Sequence, residues 1–146
     1  MTGYLLDTNV LVALLWPSHG HHETAVRWFA RTRAKGWATC PLTEAGFVRI
    51  VSNPAFSRDA VTPREAAGVL AANASASDHT FWRMDQPFAG GAAFAGARLV
   101  GHQQVTDAYL LGLALHRGGM LATLDQQILQ LTSPNSPERA AVELIG

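Results

Sequence analysis

The chain has 146 residues and a mass of 15.6 kDa, enough for one domain with a real core and too little for two. Hydrophobic residues make up 48% and charged residues 15%, which excludes a disordered, charge-extended chain. Lys and Arg number 11, as do Asp and Glu, so the net charge is zero and no global field draws the protein to nucleic acid or to an anionic membrane.

The single cysteine, Cys40, excludes an internal disulfide framework, and no Cys/His spacing suggests structural zinc. The longest apolar runs, such as Val10–Trp16, fall far short of the ~20 residues that span a bilayer. The apolar N-terminus lacks a basic segment and is interrupted by Asp7, unlike a secretion signal. The expectation is one domain over residues 1–146, cytoplasmic, with no membrane partner.

In chain order, Tyr4–Leu6 predicts a buried strand and Val10–Trp16 a helix stopped by Pro17. His21–Arg33 sets Ala25, Val26, Trp28 and Phe29 against Arg27, Arg31 and Lys35, an amphipathic pattern ended by Gly36. Trp37–Cys40 predicts a second strand, followed by a helix from Glu44 to about Val51, closed by Asn53-Pro54. Thr62-Pro63-Arg64-Glu65 is a helix start with cap, first-turn proline and capping box, running to about Ala76. His79–Met84 predicts a strand, and the Gly/Ala-rich Phe88–Gly101 a loop with short helical pieces. Thr106–Arg117 is a strongly apolar helix ended by Gly118-Gly119. Met120–Leu124 predicts a strand, Gln126–Leu131 a short helix and Ala141–Ile145 a last strand. Strands alternating with helices predict an α/β sandwich with a mainly parallel sheet.

Four acids sit at the edges of apolar segments, where a lone carboxylate is costly: Asp7, Glu44, Asp107 and Asp125. Singly, each is best explained as a helix-start acid that caps free N–H groups. Together they carry more weight, because Asp7, Glu44 and Asp125 each follow a predicted strand. In a parallel sheet the carboxyl ends of the strands share one edge, where ligands bind. Carboxylates crowded there repel one another unless a hard divalent cation joins them. An oxygen-only site without His or Cys suits phosphodiester hydrolysis.

Leu5-Leu6-Asp7-Thr8-Asn9-Val10-Leu11, Leu42-Thr43-Glu44, Val105-Thr106-Asp107-Ala108-Tyr109-Leu110 and Ala122-Thr123-Leu124-Asp125 resemble, in that order and over essentially the whole chain, the PIN-domain family, and within it the VapC toxins of bacterial toxin–antitoxin pairs. The resemblance implies a PIN-like α/β/α sandwich, a mainly parallel central sheet flanked by helices. It implies a Mg²⁺-dependent endoribonuclease, with Mn²⁺ able to substitute, in which metal-activated water hydrolyses RNA and leaves 5′-phosphate and 3′-hydroxyl ends. On that pattern Asp7, Glu44, Asp107 and Asp125 hold the metal and carry catalysis, with Asp107 or Asp125 orienting the water. Thr123 takes the hydroxyl position of the Thr-x-Asp element, and Asn9 braces the first motif. Gln126 and Gln127 follow the last aspartate where related sequences are often more polar or acidic, so a second ion is expected to be held weakly or only with substrate. The implied partners are RNA, a cognate VapB-type antitoxin that sets a basic side chain at the acidic pocket, and a second copy in a homodimer.

Other residues carry weaker signals. Arg49, one turn beyond Glu44, is a candidate RNA contact or a structural ion-pair partner. His102, just before the Asp107 segment, is a candidate RNA contact or a loop residue. His19, His21 and His22 lack a nearby acid or cysteine and are expected in a solvated loop or first helical turn. The four tryptophans are expected mostly in the core or an interface, and Cys40 as an inert residue ending a buried strand. With zero net charge, nonspecific RNA binding is expected to be weak, so the substrate is expected to be a folded RNA such as a tRNA or an rRNA loop. Two other readings remain: a non-catalytic PIN-like binding scaffold, and a haloacid-dehalogenase-like phosphatase. Asn9 weakens the second, since it stands where that class wants another acid.

Overall fold

The computed structural model describes residues 3–146. Its sheet has five strands: β1 (Tyr4–Leu6), β2 (Trp37–Thr39), β3 (His79–Phe81), β4 (Met120–Thr123) and β5 (Val142–Leu144). They lie in the order β3-β2-β1-β4-β5, and every pairing is parallel rather than mainly so. In the register Tyr4 lies beside Trp37 and Leu5 beside Leu121.

Alternation along the strands divides the core in two. Leu5, Ala38 and Leu121 face α6 (Val105–His116), whose Ala108, Leu110, Leu111, Leu113 and Ala114 are buried. Tyr4, Leu6, Trp37 and Ala122 face the other way, toward α1 (Thr8–Leu15), α2 (His22–Thr32), α3 (Pro41–Val51) and α4 (Pro63–Ala74). Trp28, Phe47, Val51 and Leu70 fill that second layer. Helices on both faces make the expected α/β/α sandwich. Trp28, Trp37, Trp82 and Cys40 are core residues, and Trp16 packs edge-on against Phe56.

Several element boundaries differ from the sequence expectation, each for a local reason. α1 begins at Thr8, not Val10, because Asp7 caps it. α3 begins at Pro41, not Glu44. Proline suits a first helical position, and the Thr43 hydroxyl accepts from the Cys40 amide. The strand expected over 79–84 stops at Phe81, because β3 is an edge strand paired only with the short β2. Gln126–Leu131 winds as a 3₁₀ segment. The Gly/Ala-rich stretch supplies α5 (Phe88–Gly91) and a 3₁₀ turn over Ala93–Arg98. A last short helix, α7 (Pro137–Ala140), precedes β5.

Strand order reverses between β1 and β4, and the carboxyl-edge crevice there is where open parallel sheets bind ligands. α6 lies over that crevice and is held close to α5. A Cβ on Gly112 would stand 1.9 Å from the Gly91 carbonyl oxygen, a backbone atom that cannot swing aside. Gly112→Ala should therefore cost about 1–3 kcal/mol, read as a fall of several degrees in Tm by circular dichroism.

Candidate active site

Asp7 directly follows β1 and is 6% exposed. Its Oδ1 accepts from the Thr8 amide at 2.7 Å and its Oδ2 from the Thr123 hydroxyl at 2.8 Å. Thr123, fully buried at the end of β4, also accepts from the Asp125 amide at 3.1 Å and the Asn9 side chain at 3.3 Å. The Asn9 carbonyl accepts in turn from the Leu124 amide at 3.2 Å. This network ties the ends of β1 and β4 together. The Asp125 side chain accepts at Oδ1 from the Gln127 amide at 2.9 Å. The capping explanation is thus correct for Asp7 and Asp125, but it uses only part of each carboxylate.

Asp107 sits in the first turn of α6, half-buried and facing the same crevice. Burial, then the charges of Asp7 and Asp125, push its pKa up to about 7. Burial also raises the Asp7 carboxyl, as does the charge of Asp125, against the bonds from Thr123 and Thr8. Three aspartates therefore share one field. No cation of the described chain relieves it: the ion pairs there are Arg33–Asp78, Arg117–Asp85 and His116–Asp85. Asp107 and Asp125 open into a cleft of about 550 Å³ whose rim carries His102, Gln103, Gln127 and Gln130, and no Lys or Arg among the described residues.

Glu44 does not line that cleft. Its Oε2 accepts from the Thr39 hydroxyl at 2.7 Å. It lines a separate groove of about 770 Å³ between α3 and α4, together with Arg49. Of the four acids expected to share one space, Asp107 and Asp125 line one cleft, Asp7 is buried close enough for its charge to act on Asp107, and Glu44 lines another groove. Arg49 lies with Glu44, and His102 lies with the aspartates. Sequence reasoning missed Thr39 and His79, which surround Glu44. Their only sequence signal was a hydroxyl and an imidazole set in short apolar strands.

The donors around the crevice are carboxylate, hydroxyl and amide oxygens, which suit a hard divalent ion. Among the described residues no three acidic, histidine or cysteine side chains already form a ligand cage.

A model of the PIN domain matches residues 4–133. The chain belongs to the PIN-domain family. Ribonuclease VapC39 of Mycobacterium tuberculosis is 46% identical over 129 residues, covering 88% of this chain and 93% of that protein. Ribonuclease VapC38 of the same organism is 43% identical over 135 residues, covering 91% and 94%. This PIN domain is thus of the VapC type. A crystal structure of VapBC2 from Rickettsia felis bound to a DNA fragment from their promoter superposes with a TM-score of 0.63 at 14% identity. It covers 98% of both chains, a likeness of fold.

The raised carboxyl of Asp107 has a signed consequence. The folded state holds this proton more tightly than the unfolded chain, whose aspartate titrates near 3.8. The group's contribution to stability is full below 3.8 and is lost as pH rises through about 7. Asp107→Asn should therefore raise the Tm of the metal-free protein at about pH 8, and the gain should vanish near pH 4 in thermal melts.

Proposed function

We propose that this chain is a divalent-metal-dependent endoribonuclease, the toxin of a type II toxin–antitoxin pair. The observation that carries the reading is the crowding of Asp7, Asp107 and Asp125 at the strand-order reversal without a protein cation. Its support from kinship is 46% identity to a protein named a ribonuclease. The reacting group is an RNA phosphodiester, and the ion is Mg²⁺, with Mn²⁺ able to substitute.

When bound, the ion supplies charge against the phosphate oxygens and acidifies the attacking water. The protein's own residues divide the remaining work. Asp7 is the fixed donor, since Thr8 and Thr123 prevent its carboxylate from rotating. Asp107 and Asp125 face the cleft, where either can orient water toward phosphorus. Asn9 holds the strand ends at their spacing. Glu44 completes the acid set by turning away from Thr39. His102 and the rim glutamines reach the RNA beside the cut. Arg49, in the neighbouring groove, meets a more distant phosphate.

A cleft without cationic side chains gives little affinity for arbitrary RNA, which favours a folded substrate such as a tRNA or an rRNA loop. The partners on this reading are a VapB-type antitoxin, whose basic side chain would neutralise the aspartates, and a second copy in a homodimer. The site of action is the cytoplasm. No helix of the described residues is long and apolar enough to cross a membrane. A phosphatase of the haloacid-dehalogenase type is disfavoured because the Asn9 side chain is spent on Thr123 and Leu124.

The test is cleavage of structured RNA by the purified protein. Chelator should abolish it and Mg²⁺ should restore it. Asp7→Asn should lower the rate by about 100-fold or more. Activity that survives chelation sinks the reading, whereas failure to bind Mn²⁺ in calorimetry favours a non-catalytic scaffold. Mn²⁺ should also raise the Tm more at about pH 8 than at about pH 5.5, because the ion competes with protons for the raised carboxyls.

A further inference from the structure

Thr39 and Thr123 are matched in burial and opposite in placement. Each ends a strand, each is 0% exposed, and each gives its hydroxyl proton to a carboxylate. Thr123 lies two residues beyond Leu121 and shares its face, toward α6. Thr39 lies two residues beyond Trp37 and shares the opposite face, toward α3 and α4. Asp7 and Glu44 are therefore tied to different strands, and the charges that raise the Asp7 and Asp107 carboxyls come from the aspartates, not from Glu44.

The Thr39 hydroxyl has a second neighbour. His79 Nε2 in β3 lies 2.8 Å from Oγ1. A hydroxyl has one proton to give. With a proton on Nε2, His79 donates to Oγ1 and commits the Thr39 proton to Glu44. The His79 ring is itself fixed by the Trp37 indole, with ring centres 4.5 Å apart. Trp37 is anchored through Nε1 to Asp78 Oδ1 at 2.9 Å, and Asp78 to Arg33 at 2.7 Å. So a braced series of contacts ends on the one acid that stands outside the aspartate group.

We propose that Thr39, braced by His79, is a positioning residue that holds the Glu44 carboxylate apart from Asp7, Asp107 and Asp125, so that Glu44 joins them only when the Thr39 bond breaks. The proposal rests on the metal-dependent reading above. Every divalent ion that recruits Glu44 must first displace a short, charge-assisted hydrogen bond, which lowers its apparent affinity.

The experiment is Mn²⁺ titration by calorimetry on the full chain, with RNA cleavage measured alongside. Thr39→Val keeps the side-chain shape and removes the hydroxyl, and should tighten Mn²⁺ binding by about tenfold. Thr39→Ser restores the hydroxyl and should bind as the wild type does. Adding Glu44→Gln should erase the difference between threonine and valine at position 39. His79→Phe keeps a ring against Trp37 and tests the brace if Thr39→Val folds poorly. It should tighten binding in the same direction. Unchanged or weaker Mn²⁺ affinity in both Thr39→Val and His79→Phe overturns the proposal while wild-type binding and cleavage stand. A wild type that neither binds Mn²⁺ nor cuts RNA overturns the metal-dependent reading itself.

Discussion

Burying the Asp7 carboxylate at the carboxyl edge of the sheet would cost several kcal/mol if its oxygens were left without partners. The chain offsets that cost with one backbone amide and one hydroxyl drawn from a strand far away in sequence. The hydroxyl belongs to Thr123, so β1 and β4 must lie side by side and in register. Once they do, Asp125 is two residues past the threonine and α6 must cover the crevice. The three aspartates are neighbours as a consequence of satisfying the first.

Their proximity carries a second consequence. The bonds to Asp7 satisfy its oxygens without neutralising its charge, and no Lys or Arg among the described residues lines the neighbouring cleft. The crevice holds uncompensated acids although the chain as a whole carries no net charge. That imbalance is what separates a binding centre from a helix cap. Caps are complete once their amides are bonded, and these carboxylates are not.

The fold was largely legible because its signals are local. Pro63 with Thr62 and Glu65 marks a helix start that the structure reproduces with both capping bonds in place. Gly118, at φ 68°, ends α6 where the glycine pair predicted an end. Strand lengths were less legible, since Trp82 looks like strand continuation in sequence yet sits beyond the three-residue pairing of β3. Of the acids, the three aspartates could be grouped from their positions after strands or at a helix start, because backbone topology fixes where such residues lie. Glu44 could not be placed in that way. Its longer side chain can turn to either side of the sheet edge, and the choice depends on Thr39 and His79, which neither periodicity nor motif links to it. The PIN-domain resemblance correctly named the family but does not say which way that side chain turns in this chain.

The bond from Thr123 to Asp7 joins residues 116 positions apart. β1 is the first strand made, and one of its two neighbours is the fourth. During synthesis, which proceeds at about 5–20 residues per second, the N-terminal half can collapse onto β2 and α1 well before β4 exists. The acidic centre can then take shape only after β4 has been made. Until Asp107 and Asp125 emerge, the nascent chain carries Asp7 alone at an unfinished sheet edge.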